Sequence, residues 1–177
     1  MVLEQDLTGK VAIVTGGSDG IGKATAKLLA KRGATVAICA RRAEVLEAAR
    51  AEIAAHGMVE AHILDVSDEA AYTALVNDVA QRHGRLDMLV NNAMSVHYAP
   101  LTDLTMDHWR KDFAVNAEAV FTGTKAAMKI MMKQGGGSIV NISSAIGRLT
   151  DRGFAAYGTA KGALSHLTRL MATECAP

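Results

Sequence analysis

Tyr157 and Lys161 are the residues of this 177-residue chain best suited to moving a proton. They stand four apart, so on an α-helix they lie one turn apart on the same face, where an ammonium can sit beside a phenol. A free phenol of this kind titrates near ~10, too high for good proton transfer at neutral pH, and a fixed positive charge within a few ångströms favours its phenolate. Just upstream, the apolar run from Gly137 to Ile142 reads as a short strand that delivers Ser143 and Ser144 toward the same helix. Together these side chains outline a reaction centre. Tyr-x-x-x-Lys is also a common helical pair, so the chemical reading depends on what surrounds it.

A second constellation lies near the start of the chain. The β-branched run from Lys10 to Thr15 ends directly in Gly16, Gly17, Ser18, Asp19, Gly20, Ile21 and Gly22, followed by the alanine- and leucine-rich pattern from Lys23 to Lys31. This is strand, glycine turn, helix. Glycines there permit a tight turn and let a pyrophosphate approach backbone N–H groups at a helix N-terminus, although glycines also serve ordinary turns. About twenty positions on, an acidic residue would normally accept bonds from an adenosine ribose. Ala40, Arg41 and Arg42 stand there instead. A guanidinium suits a 2′-phosphate by charge and by its forked donors, so NADP(H) is expected over NAD(H). The alternative is two arginines in a solvated helix start, but cations at a helix N-terminus are mildly unfavourable without an anion.

The elements that must position these groups alternate along the chain. Strands are expected over 10–15, 34–40, 58–64, 86–90 and 137–142. Helices follow over 23–31, 42–55, from a Ser67 cap to about 83, as one long stretch over 105–133, and from 155 onward past Leu170. Alternation of this kind predicts an α/β fold: a doubly wound, Rossmann-like parallel sheet of five strands with helices on both faces. Such a sheet binds ligands at the carboxyl ends of its strands. The long helical stretch is apolar nearly all round, with Trp109, Phe113, Val120, Phe121, Met128, Ile130 and Met131 covering more than one face. It is therefore expected to pack against the sheet and against something else, such as another subunit.

The totals bound the function. Half of the residues are hydrophobic, room for one domain over 1–177. A formal charge of +1 and only 4% aromatic residues leave neither a phosphate-tracking patch nor base-stacking platforms, so nucleic acid is an unexpected partner. Glu4 and Asp6 near Met1 are unlike a signal peptide and no apolar run approaches membrane-spanning length, so no membrane partner and a cytoplasmic setting are expected. Cys39 and Cys175 make no metal-ligand pattern, no metal is expected, and both read as packing residues.

These residues resemble the classical short-chain dehydrogenases/reductases, over essentially the whole chain from Leu7 to Pro177. Thr15 to Gly22 looks like that family's cofactor-binding signature, Asp65 and Val66 like its adenine contact, and Asn91, Asn92 and Ala93 like its fourth-strand motif. Asn116, Ser144, Tyr157 and Lys161 match its catalytic tetrad in order and spacing, with Ser144 thirteen residues before Tyr157. Met94 departs from the pattern, in which glycine is usual.

The resemblance implies that Tyr157 gives a proton to a carbonyl oxygen, that Ser144 bonds that oxygen, and that Lys161 holds the nicotinamide ribose while favouring the phenolate. It also implies that Asn116 holds a water linking Lys161 to solvent. The implied activity is interconversion of a small-molecule carbonyl and a secondary alcohol, in a homodimer or homotetramer paired through the helices of Asn116 and Tyr157. A catalytically silent nucleotide-binding scaffold or sensor is the alternative. The loop from Met94 to Pro100 and the segment from Ile146 to Gly153 are expected to line the substrate pocket, with His97 and Arg152 as candidate contacts. Members of the family continue beyond the point that resembles Pro177, so the fifth strand is expected to be a sheet edge and the chain a part of a longer polypeptide.

Overall fold

A run of β-branched and small residues, Val11–Thr15, forms the first strand, β1, and is buried along its whole length. Only a strand covered on both faces tolerates that composition. The computed structural model describes residues 6–175. The first five residues, with Glu4, and the final Ala176 and Pro177 lie outside that range. In chain order, α1 (Gly20–Lys31) follows β1, then β2 (Thr35–Ala40), α2 (Ala43–Ala54), β3 (Val59–Ile63), α3 (Glu69–His83) and β4 (Met88–Asn91). After β4 come α4 (Met106–Phe113), a π-helical turn (Ala114–Glu118), α5 (Ala119–Gln134), β5 (Ser138–Asn141), a short 3-10 turn (Ala145–Gly147) and α6 (Ala155–Cys175).

All strand pairs are parallel, and the sheet order is β3-β2-β1-β4-β5. Side chains alternate across β1 as the pleat requires. Ala12 and Val14 join Ala26 and Ala30 of α1 and Leu46, Ala49 and Ile53 of α2 on one face. Val11 and Ile13 join Tyr72, Leu75, Val76 and Val79 of α3 and Ala126, Ala127 and Met131 of α5 on the other. The strand order reverses between β1 and β4, the place at which a doubly wound sheet leaves a crevice. In register, Thr15 stands beside Cys39 and Asn91 beside Asn141, so the segments after β1, β2, β4 and β5 leave the same end of the sheet.

Three expectations change. The stretch expected as one helix over 105–133 is α4, a π-helical turn and α5, because an asparagine amide occupies a carbonyl of its ladder, as described below. Ser67 does not cap α3; Asp68 does, accepting from Ala71 N at 3.0 Å, while Ser67 bonds back to Asp65. Cys39 is buried as expected, but Cys175 is exposed at the last described turn of α6. β5 is an edge as expected, with Val140 48% exposed. Among the described residues no helix is long and apolar enough to cross a membrane.

Candidate active site

The crevice after β1, β2 and β3 is a cleft of about 380 Å³. Its floor is the glycine turn. At Gly22 a Cβ would stand 2.3 Å from the Gly16 carbonyl oxygen, and at Gly16 it would stand 2.9 Å from Asn92 Nδ2, so both positions are closed to any side chain. Gly20 differs: its φ is 53° and nothing lies within 4 Å of where a Cβ would be. The turn is therefore packed tightly from behind and left open in front, the form of a cradle for a group that approaches the backbone closely. Asp19 caps α1 by accepting from Gly20 N at 2.8 Å.

Of the residues expected to touch a cofactor, Gly16, Ser18, Asp19, Gly20, Ile21, Arg41, Arg42, Asp65, Val66, Asn92 and Ala93 line this cleft. Thr15, Gly22, Tyr157 and Lys161 do not. Gly22 closes the turn from behind, and Thr15 Oγ1 accepts from Asn92 N at 2.9 Å and Ala93 N at 3.0 Å, latching the end of β4 to the end of β1. Asn92 completes the latch by donating from Nδ2 to Thr15 O at 3.0 Å. Arg41 lies 3.8 Å from Asp65 across the cleft mouth, an exposed and therefore weak pairing. Burial alone would raise the Asp65 carboxyl, but bonds from Ser67 N and Oγ and the Arg41 charge together hold it below its ordinary value. Helix α2 starts at Arg42 with no side-chain cap.

The second half of the site lies after β5. Lys161 is only 3% exposed, and its Nζ donates to the carbonyl of Ile142 at 2.8 Å. Burial lowers its pKa from the usual lysine value to about 8. An ammonium carries three donors, so this bond anchors the group and leaves others available. Nζ is 5.8 Å from the centroid of the Tyr157 ring, the arrangement that the four-residue spacing predicts. The two serines separate cleanly. Ser143 Oγ is turned to α6, 2.8 Å from Ser165 Oγ and 3.2 Å from Lys161 O, whereas Ser144 starts the 3-10 turn and accepts only a 3.3 Å contact from Ile146 N.

Asn116 sits in the π-helical turn with no exposure. Its Nδ2 donates to Ser95 O at 2.6 Å and to Asp112 O at 2.8 Å. Asp112 is four residues earlier, so a side-chain donor takes the carbonyl that a regular helix would offer to the backbone, and a side chain inserted into the ladder in this way widens a turn. Two carbonyls hold the amine end, and Oδ1 is buried without a partner. The loop after β4 meets the segment before α6: Ala99 N donates to Gly153 O at 3.1 Å, and the Tyr98 ring meets Phe154 edge-on at 5.3 Å. Arg152 is exposed. His97 is held by Asp112 instead of standing free.

The short chain dehydrogenase family model matches residues 10–177. The chain belongs to the short chain dehydrogenase family. It is 40% identical over 174 residues to an uncharacterized oxidoreductase of Mycobacterium tuberculosis, with 97% of this chain and 66% of that protein aligned. It is 39% identical to an NADP-dependent (R)-specific alcohol dehydrogenase of Lentilactobacillus kefiri, covering 96% of this chain and 68% of that one. Among solved structures it superimposes on an NAD+-bound xylitol dehydrogenase with a TM-score of 0.93 at 35% identity, covering 98% of this chain and 67% of that one. The chain thus spans about two thirds of the length of the relatives it matches.

As a short chain dehydrogenase, the chain is expected to take a nicotinamide dinucleotide, and the cradle fits one: glycines close the turn behind and leave it open in front, with a guanidinium at the far end. Leu64 and Val115 also line the cleft and were not singled out by sequence, and Cys39, Ala40 and Met94, which were noted for other reasons, line it too. All are small or apolar, and nothing in their types distinguishes a cleft wall from core. Asp112 was also missed. A signal existed: Asp112 and Asn116 are two polar residues four apart in a stretch otherwise rich in apolar ones.

Proposed function

We propose that this chain is the nucleotide-binding and reacting part of an NADP(H)-dependent oxidoreductase that interconverts a carbonyl and a secondary alcohol. The observation that carries the reading is the buried Lys161, fixed on the Ile142 carbonyl one turn from Tyr157. A buried ammonium is costly to hold, and its place beside a phenol is the feature a proton-transfer site requires. In reduction, Tyr157 donates its phenolic proton to the substrate oxygen, and Ser144 donates a hydrogen bond to the same oxygen as negative charge develops there. Lys161 stabilises the phenolate left behind, and Asn116, with Oδ1 unpartnered, is suited to hold a water on the route to Lys161. The bound nicotinamide supplies the hydride chemistry.

The glycine turn would hold the pyrophosphate, and Asp65 and Val66 the adenine. Arg41 and Arg42 favour a 2′-phosphate, because a guanidinium at an uncapped helix start gains most from an added anion. The pairing of two copies through α5 and α6 is part of the same reading, supported by Phe121 and Leu170, which are 46% and 50% exposed. A panel of ketones and aldehydes assayed by NADPH oxidation, with Tyr157→Phe as control, tests the reading. Turnover by the parent chain and none by the variant is expected. Cofactor binding with no turnover in either would replace the enzyme with a nucleotide sensor.

A further inference from the structure

Asp112, in α4 one turn before Asn116, has no exposure to solvent and is not used by the chemistry above. A carboxylate removed from water survives only with donors around it. Three serve it: Ser95 Oγ at 2.9 Å and His97 Nδ1 at 2.7 Å reach Oδ1, and the His97 backbone N–H reaches Oδ2 at 3.1 Å. All three come from the loop after β4. An ionised carboxylate only accepts, so the proton of this contact sits on His97 Nδ1. His108 of α4 stacks on the His97 ring at 4.4 Å and 12°, fixing its plane as well. Ser95 also gives its carbonyl to Asn116 Nδ2, which donates in turn to the backbone carbonyl of Asp112. The next two residues, Tyr98 and Ala99, meet Phe154 and Gly153 at the entry to the helix of Tyr157.

We propose that Asp112 is a positioning residue for the oxidoreductase reaction. By gripping Ser95 and His97 it sets the loop wall of the substrate cleft, and through the Ser95 carbonyl it sets the direction of the Asn116 amide. A side chain serving only as a brace would loosen the whole fold when altered; a positioning residue changes how the carbonyl is met while the glycine turn, Arg41, Arg42, Asp65 and Val66, which line the nucleotide cleft from other segments, stay in place, although Asn92 to Met94 and Val115 of its lining adjoin the gripped loop and turn. The role rests on the oxidoreductase reading.

Asp112→Asn tests it, because the amide keeps the volume while losing the charge and one of the two acceptor oxygens. We expect kcat/KM for the carbonyl to fall by about 10- to 100-fold, largely through KM, the scale of a small misplacement near reacting atoms. NADPH affinity should stay within about twofold of the parent. Should Asp112→Asn fail to fold, His97→Gln removes part of the same grip from a partly exposed side chain and should shift the same ratio in the same direction. Nitrogen NMR of the parent chain adds a reading that needs no substrate: His97 should show a protonated Nδ1. Unchanged kcat/KM in Asp112→Asn, NADPH affinity falling in step with kcat/KM, or the reversed tautomer at His97 would each overturn the proposal. A parent chain that shows the His97 pattern but reduces no carbonyl would instead bring down the oxidoreductase reading, and the positioning role with it.

Discussion

The segments after β1 and β5 leave the same end of one sheet, yet they are built in opposite ways. After β1 the polar groups satisfy one another: Thr15, Asn92 and Ala93 form a closed latch, Asp19 caps its own helix, and glycines fill the space that side chains would contest. After β5, and in the π-helical turn of Asn116, the groups are left partly unmatched. Lys161 is a buried cation with one hydrogen bond, Ser144 has a single long contact, and Asn116 Oδ1 has none. Buried polar atoms without partners cost about 1–3 kcal/mol each. On the proposed function, the first region supplies a rigid floor and the second the groups that would meet the substrate.

The largest expected effect separates the two regions directly. Tyr157→Phe should lower turnover by about 10²- to 10⁴-fold, the usual contribution of a positioned acid, while fluorescence titration finds NADPH affinity unaltered. Comparable losses in both would mean that the regions act as one.

Next in size is the cost of burying Lys161. Its folded pKa, about 8, lies below the ordinary 10.5, so between those values the unfolded chain holds a proton that the folded chain has released. Stability should therefore rise with pH across that window, by roughly 3 kcal/mol at most, and the penalty should be fully present below about pH 8. Denaturant unfolding of the parent and of Lys161→Met at the two ends of the window checks this; identical pH slopes would show that the ammonium is not penalised.

A smaller effect is expected at the nucleotide end. Arg41→Ala should weaken NADPH by about 1–3 kcal/mol, the scale of a charge-assisted hydrogen bond, and leave NADH nearly unchanged. Equal weakening of both would move the origin of cofactor choice away from Arg41. Smallest is a test of rigidity. Cys39 lies under the nucleotide cleft with its pKa pushed up to about 12 by burial, and Cys175 is exposed. A thiol reagent should label one cysteine quickly in the folded chain and the second only on unfolding; rapid labelling of both would show that the floor opens.

Much of this division could be read before the structure. Glycines between a strand and a helix, and a tyrosine and lysine four apart, announce their geometry because few backbone forms satisfy them. The parallel, doubly wound class follows from alternation and right-handed crossovers, whereas the order of the strands does not. Asn116 was legible only as a motif position. Its π-helical turn was not, since no local propensity encodes a turn that exists because an amide reaches a carbonyl four residues back and a loop from elsewhere in the chain. The place of Thr15 was hidden for a related reason: its hydroxyl is held by the backbone N–H groups of Asn92 and Ala93 just after β4, a long-range pairing that sequence does not display. Ser67 and Asp68 are equally good caps by type, and the choice between them fell to the bonds that Ser67 makes with Asp65.

The π-helical turn also governs which changes in length this chain can accept. Each α-helical residue turns the backbone by about 100°, and a wide turn accommodates roughly one extra residue without passing that rotation on. Deleting one residue within 114–118 would allow an unbroken helix, and by helical propensity alone that would look like a repair. It would also swing α5 about its axis relative to α4, carrying Val120, Gly123, Thr124, Ala127 and Met131 off the sheet and bringing Phe121 and Lys125 toward it. Gly123 faces the Tyr72 ring so closely that a Cβ there would stand 2.4 Å from its hydroxyl oxygen, so no other face of the helix could take its place. Descendants of this sequence should therefore exchange the residues of this turn other than Asn116 far more freely than they gain or lose one.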